Sequence, residues 1–135
     1  TPKEREDKVK SVLEKVSLEE AIDKMPSELS GGMKKRIGLA RSIISEPKLM
    51  LYDEPTTGLD PITSKEISSL ILELQKSLNM TSVIVTHDLL CAEIIADRAI
   101  VLNEGIVQHA GTISELTTSS DHFLRNFFSH EIVED

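Results

Sequence analysis

A chain of 135 residues is long enough for one compact domain and too short for two ordinary ones. Hydrophobic residues make up 39% and aromatic residues only 3%, so we expect an aliphatic core. The formal net charge of −8, from 15 basic and 23 acidic residues, argues against general nucleic-acid binding.

Three further features are not expected from the sequence: a membrane span, a signal peptide and an internal disulfide. No apolar run approaches the roughly 20 residues that span a bilayer, so we expect no membrane span. The charged first residues do not have the pattern of a signal peptide. The single cysteine, Cys91, cannot form an internal disulfide, which favours a reducing compartment and a packing role for its side chain.

The first third of the chain predicts helices. Residues 3–16 are densely charged, with valines and a leucine at helical spacing, and predict an amphipathic surface helix. Ser17–Glu20 forms a capping-box pattern, which predicts a second short helix that Pro26 ends. Helical spacing resumes at Met33, so Ser30–Gly32 is predicted to lie at a helix N-terminus.

Two interpretations of Ser30–Gly32 stay open. A helix N-terminus presents unpaired N–H groups and the positive end of the macrodipole, and two glycines let a phosphate approach closely. The alternative is a simple serine cap after a flexible turn. Lys34, Lys35 and Arg36 follow without aromatic residues, so a solvated face or a partner contact is favoured over a nucleic-acid patch.

The stretch Leu49–Asp60 organises the chain. Four apolar residues between Pro47 and Pro55 predict a strand buried on both faces, which ends in the carboxylates Asp53 and Glu54. In a parallel sheet that end is the edge where ligands bind. The pattern is typical of a Walker B strand, with Asp53 holding Mg²⁺ and Glu54 polarising an attacking water. A plain surface turn is the alternative.

A helix and a second strand follow. Asp60 before a proline is a strong helix start, and pure capping is the alternative to a functional role for Asp60. Thr81–Thr86 predicts a second buried strand, which would place His87 at the same edge as the two carboxylates. Asp88 is predicted to cap the next helix, and the alternation of strands and helices indicates a parallel α/β sheet.

The remaining residues predict a β-hairpin and a tail. Ala99–Leu102 and Ile106–Ala110 flank a turn at Gly105, and Thr112–Glu115 is another capping box. All three phenylalanines lie in the tail, where they could pack on the domain or face a partner. Surface positions are expected for the histidines of this region, which are His109, His122 and His130.

Taken together, these motifs resemble the C-terminal half of an ATP-binding cassette (ABC) transporter nucleotide-binding domain. The resemblance rests on Leu29-Ser-Gly-Gly32, Asp53-Glu54-Pro55, Gly58-Leu-Asp60 and His87, and covers roughly residues 17–117. By position it assigns Leu29, Ser30, Gly31 and Gly32 to the signature, Asp53 to Mg²⁺, Glu54 to the catalytic base, Asp60 to the D-loop and His87 to the switch histidine.

The amino-acid sequences of the two longest tracts look most like one branch of the family. Leu-Ser-Gly-Gly-Met-Lys-Lys-Arg and Leu-Tyr-Asp-Glu-Pro-Thr-Thr-Gly-Leu-Asp-Pro-Ile resemble the Mla/Mce-associated phospholipid-trafficking ATPases. Met33 departs from the glutamine usual in the wider family, which puts one signature-loop hydrogen bond to nucleotide in doubt.

The resemblance implies an ATPase that uses ATP and Mg²⁺ in a head-to-tail homodimer. It implies a transmembrane permease as partner, no nucleic acid, and a cytoplasmic position on the inner face of the inner or plasma membrane. The implied fold is a P-loop NTPase-type, three-layer α/β parallel sheet, partial and lacking the Walker A strand, with a helical signature subdomain. We expect a helical part at 1–47, an ATPase-core part at 48–117 and a tail at 118–135.

One motif of the family does not occur in these residues. No Gly-x-x-x-x-Gly-Lys-[Ser/Thr] loop is found, so we expect the chain to be a fragment that hardly binds or hydrolyses ATP alone. Two alternatives stay open. One is the C-terminal part of an SMC-type chromosome-maintenance ATPase, and the other is a non-catalytic regulatory domain that kept the cassette fold.

Overall fold

The computed structural model describes residues 1–129, so His130 lies outside the described part. Single turns of 3₁₀-helix occur at Glu19–Ala21 and Pro26–Glu28. The other elements are α1 (Pro2–Lys15), α2 (Gly31–Ile43), β1 (Leu49–Asp53), α3 (Pro61–Ser77), β2 (Thr81–Val85), α4 (Leu89–Ile95), β3 (Arg98–Asn103), β4 (Ile106–Thr112), α5 (Ile113–Thr117) and α6 (His122–Ser129). None of the helices described is long and apolar enough to cross a membrane.

Strands β1 and β2 form a parallel pair joined by the crossover helix α3. Their register pairs Leu49 with Thr81 at one end and Asp53 with Val85 at the other, so the two strands end together. Helix α3 buries Ile67 and Ile71 almost completely in the main apolar core. The predicted parallel α/β arrangement is confirmed, and it brings the segments after β1 and β2 to one edge.

The prediction that these strands are buried on both faces is wrong. Met50 and Tyr52 are each 7% exposed, whereas Leu51 is 70% and Val83 52% exposed. The helices share a core with one face of the pair only, and nothing in residues 1–129 covers the other. A continuous apolar run predicts two-sided burial, but burial depends on which elements are present to cover each face.

A second apolar cluster holds the C-terminal elements together. The antiparallel pair β3–β4 turns at Glu104 and Gly105, both of which have positive φ angles, as the predicted hairpin at Gly105 requires. The cluster is built on Val101, Leu116 and Leu124, with Phe123 and Phe128 packed against it. Two of the three phenylalanines therefore pack on the domain, while Phe127 stays 40% exposed.

His109 is not the solvated surface residue that the sequence suggests. Its ring stacks on Phe123 at a centroid distance of 5.9 Å, and its Nε2 lies 3.4 Å from an oxygen of Asp121. Hairpin periodicity could not reveal this contact, because the partners come from the distant helix α6 and the segment before it. His122 is exposed, as expected, and its Nδ1 lies 3.3 Å from the amide nitrogen of Asn126.

The capping box expected at Ser17 is absent. Ser17 has a φ angle of 54°, and the short turn that follows begins at Leu18 without a side-chain cap. Leu18 is 3% exposed, so its burial next to α1 turns the chain before a regular helix can start. Pro26 begins the second single turn instead of ending a helix, and Met25 before it is 64% exposed.

The exposed apolar face of β1–β2 leads to a prediction about the chain on its own. Because contiguous apolar surface promotes association, we expect the 135-residue chain to self-associate at micromolar concentration. The double substitution Leu51→Lys/Val83→Lys should shift it toward the monomer in analytical ultracentrifugation, since both residues lie opposite each other on that face. Val9→Lys, on the surface of α1, is the matched control. A monomeric wild-type chain with a cooperative melt would contradict this expectation.

Candidate functional site

The N-terminus of α2 carries the first group of candidate residues. Ser30 is the cap: its backbone is extended, and its side-chain oxygen accepts a hydrogen bond from the Met33 N–H at 3.2 Å. The capping part of the prediction is confirmed. Gly31 and Gly32 occupy the first two helical positions, whose N–H groups have no partner within a helix. Leu29 precedes the cap in extended conformation and packs partly against the main core.

The N-terminus of α3 carries the second group. One carboxylate oxygen of Asp60 accepts hydrogen bonds from the Ile62 and Thr63 N–H groups at 3.1 and 3.0 Å. The other accepts from the Thr63 hydroxyl at 2.5 Å. The Thr63 hydroxyl bond, followed by the backbone bonds, lowers the pKa of Asp60 from its usual value. Asp60 is thus an anionic cap, as the Asp-Pro pattern predicts.

These two helix ends lie side by side. They line a shared surface cleft of about 450 Å³, with Ser30 and Gly32 on one side and Gly58 and Asp60 on the other. Residues that are 30 positions apart in the sequence, such as Ser30 and Asp60, are therefore neighbours in the fold. The sequence predicts both caps separately, but not that they face one cleft.

The third group lies where β1 and β2 end. Asp53 is the last residue of β1 and is exposed. Glu54 extends the ladder by one bond, because its N–H donates to the Val85 carbonyl at 2.8 Å. Its φ angle of 47° is in the left-handed region, which costs a non-glycine residue about 1–2 kcal/mol. The chain turns sharply there, directly at the candidate base.

Glu54 and His87 are in contact at this edge. The Oε2 atom of Glu54 lies 3.0 Å from Nδ1 of His87, and His87 remains 81% exposed. The hydrogen bond with the His87 side chain is the main cause that lowers the pKa of Glu54 below its usual value. The prediction that His87 lies at the same edge as the carboxylates is confirmed in position, while the roles of these residues stay predictions.

A partly buried hydrogen-bond network supports this edge, and sequence reasoning missed it. The Thr56 hydroxyl, 4% exposed as a residue, donates to Asp88 at 2.8 Å. The other oxygen of Asp88 accepts from the Cys91 N–H at 3.0 Å, so the predicted cap of α4 is confirmed. The Thr86 hydroxyl accepts from the Asp88 N–H at 3.0 Å and donates toward Glu54 at 3.4 Å. The network joins the segments after β1 and β2.

Nothing in the sequence marks Thr56 as the buried member of the Thr56–Thr57 pair, because its partner is 32 residues away. Cys91 is fully buried in the core, which confirms its packing role, and burial raises the pKa of its thiol.

Comparisons with known proteins find similar sequences. The family described as "ABC transporter" matches residues 2–57. A "Methionine import ATP-binding protein MetN" of Rhodospirillum rubrum is 37% identical over 126 residues, which is 93% of this chain and 36% of that protein. The MetN of Haemophilus ducreyi is 38% identical, over 93% of this chain and 38% of that protein.

Solved structures give the same fold. The cbiO1 protein of Clostridium perfringens, titled as part of the ABC transporter complex cbiONQ, superposes with a TM-score of 0.82 at 33% identity, covering 97% of this chain and 55% of that one. A putative metal-chelate type ABC transporter gives 0.79 at 32% identity, covering 91% and 48%. The chain thus spans little more than a third of the curated relatives, and its resemblance to ABC transporter nucleotide-binding domains is confirmed.

The Thr56–Asp88 hydrogen bond yields a stability prediction. Thr56→Val keeps the shape of the side chain but removes a donor to a carboxylate, which should lower the free energy of unfolding by about 1–3 kcal/mol. Urea unfolding followed by circular dichroism measures the loss. The neighbouring exposed Thr57→Val should change stability by less than about 0.5 kcal/mol. Equal effects of both substitutions would remove the special role of Thr56.

The Glu54–His87 contact makes stability depend on pH. Since the pKa of Glu54 is lower in the folded state than in the unfolded state, its stabilising contribution is present above the unfolded value of 4.5. It is lost as pH falls through the lowered folded value. The difference in melting temperature between wild type and Glu54→Gln should therefore shrink between pH 5.5 and pH 3. A difference that stays constant with pH would contradict the contact.

Proposed function

We propose that this chain, whose sequence and fold resemble those of ABC transporter nucleotide-binding domains, is part of an ATP-hydrolysing subunit that drives a membrane permease. It would supply the signature turn (residues 29–32), the Walker B carboxylates Asp53 and Glu54, the D-loop (residues 58–60) and the switch histidine His87. The observation that carries the proposal is the 3.0 Å contact between Glu54 and His87 at the shared end of a parallel strand pair. Carboxyl ends of such strands are where α/β folds bind ligands.

Glu54 and His87 suit complementary roles toward a phosphoryl group. A carboxylate with a lowered pKa is ionised near neutral pH, so Glu54 can accept a hydrogen bond from a water and orient it for in-line attack. His87, largely exposed next to it, can donate to the phosphate oxygens where negative charge develops. The bond between them would fix their relative position before nucleotide arrives.

The proposed metal ligand is Asp53. Among residues 1–129 no group of three His, Cys, Asp or Glu side chains could hold a metal ion. An exposed carboxylate at the strand end does fit Mg²⁺, because this ion is usually held by one or two carboxylates together with substrate phosphates and waters. When bound, Mg²⁺ would neutralise charge on the phosphates, and Asp53 would hold it in place.

The proposed partners are inferred first from the N-terminus of α2, whose partial positive charge has no carboxylate cap. The neutral Ser30 cap leaves the positive end of α2 available to an anion, which we propose is the γ-phosphate of ATP held by a second nucleotide-binding domain. Asp60 would lie at the same junction, and the homodimer would be arranged head to tail. We also propose a permease partner and a peripheral position on the cytoplasmic face of the membrane. The proposed division of the chain is a helical part at 1–47, an ATPase-core part at 48–117 and a tail at 118–135.

The cargo is proposed from the relatives and not from the fold. Both curated relatives described above are named for methionine import, and neither similar structure is titled for lipid transport. The similarity to the phospholipid-trafficking branch therefore gains no support, and we propose import of methionine or another small solute. The SMC-type and non-catalytic alternatives gain no support from these relatives either.

A substitution at Glu54 tests the mechanism in the intact nucleotide-binding subunit. Glu54→Gln should keep ATP binding but lower turnover at least ~10²-fold, the usual scale for a general base. Phosphate release and equilibrium binding of a labelled ATP measure the two quantities separately. Glu73→Gln, a surface change on α3, serves as the control. Unchanged turnover in Glu54→Gln would remove Glu54 from the mechanism.

Mg-ATP binding separates the contribution of this chain from that of upstream residues. The 135-residue chain alone should show neither tight binding nor turnover, and a chain extended by an upstream Walker A segment should show both. Tight binding by the short chain would mean that it holds a complete phosphate site, and the cassette assignment of its residues would have to be revised.

A further inference from the structure

The two glycines of the signature turn have different surroundings. A Cβ atom added at Gly32 would lie 2.9 Å from Cγ2 of Thr63, which is closer than real Cβ contacts allow. One added at Gly31 would meet Leu59 at an ordinary 3.7 Å, and one at Gly38 would meet nothing. Only at Gly32 does the neighbouring helix α3 occupy the space of a side chain.

Thr63 cannot easily move away from Gly32. Its hydroxyl is held 2.5 Å from Asp60, and the methyl group that faces Gly32 is attached to the same Cβ atom. Rotating the side chain to relieve a clash would break the bond to Asp60, since the branched Cβ moves both groups together. The contact between the helices and the cap of α3 are therefore coupled through one side chain.

A second contact lies one turn further along both helices. Arg36 donates to the Val16 carbonyl at 3.1 Å, and another of its nitrogens lies 3.5 Å from Glu66. Arg36 follows Gly32 by four residues, and Glu66 follows Thr63 by three, so the two contacts are in helical register. Both contacts therefore join α2 to α3 along the same pair of helix faces.

We propose that Thr63 is a positioning residue, whose methyl group packs on Gly32 while its hydroxyl holds Asp60, so that the signature turn and the Asp60 cap form one unit. The proposal rests on the proposed function, because it assigns these two segments to a common ATP site. It also gives Gly32 a second reason to lack a side chain. Gly32 admits the methyl group of Thr63, in addition to any close approach by phosphate.

A methyl exchange between the two residues tests this. Gly32→Ala adds a methyl group at the contact, and Thr63→Ser removes the one it would meet while keeping the hydroxyl. In the intact nucleotide-binding subunit, we expect Gly32→Ala to lower ATP turnover about tenfold or more, and the double variant Gly32→Ala/Thr63→Ser to regain at least about threefold of that loss. Melting temperatures should follow the same order.

Controls separate positioning from folding. Gly38→Ala adds a methyl group on the same helix in open space and should leave turnover unchanged. Thr63→Ser should not rescue Gly31→Ala, because Gly31 does not face Thr63. Thr63→Val keeps a methyl at the contact but loses the bond to Asp60, so it should lower kcat with little change in the KM for ATP. Turnover is measured at least 15 °C below each melting midpoint.

The outcomes are distinct. If the double variant is as impaired as Gly32→Ala, in turnover and in melting temperature, the methyl contact does not explain Gly32 and the proposal fails. If Gly32→Ala does not fold, recovery of folded, active protein in the double variant supports the contact, and failure to recover overturns it. If the wild-type subunit hydrolyses no ATP, the proposed function fails, while the melting temperatures still decide the methyl contact.

Discussion

The parallel pairing of β1 and β2 is the constraint on which the candidate site depends. Because Asp53 pairs with Val85, both strands end at the same level, and the polar segments that follow must leave the sheet at one edge. The ladder bond from Glu54 to Val85 continues this register into the turn. Glu54 and His87, 33 residues apart in sequence, meet there as a consequence. A partly buried hydrogen bond from Thr56 to Asp88 also joins the segments that follow the two strands.

Electrostatics distinguishes the two helix ends that share the cleft. Each N-terminus carries about half a positive charge. At α3 this charge is balanced by the carboxylate of Asp60, whereas the cap of α2 is the neutral Ser30. An incoming anion is therefore attracted more strongly to the signature turn than to the neighbouring cap. The N-terminus of α2 is therefore the less compensated of the two helix ends, in a chain whose net charge is −8.

The structural features that could be predicted from the sequence were mostly local ones, such as helix caps. The caps at Ser30, Asp60, Asp88 and Thr112 are all found, because each satisfies N–H groups within three residues. The exposed face of Leu51 and the stacking of His109 were not predictable, since they depend on elements distant in sequence or on what covers the sheet. Ser17 has the correct capping pattern, but the burial of Leu18 overrides it. The ligand roles of the site residues also lie beyond local patterns.

One apolar core supports both parts of the candidate site. Leu29, Met33 and Leu59, which border the paired helix ends, pack partly against the same cluster as Tyr52 and Cys91, which lie beneath the strand edge. A close-packed core transmits displacement because it has little free volume to absorb it. Under the proposed function, the groups that face a partner's nucleotide and those that face the chain's own are therefore mechanically joined. The Gly32–Thr63 contact is the point where that connection reaches the signature turn.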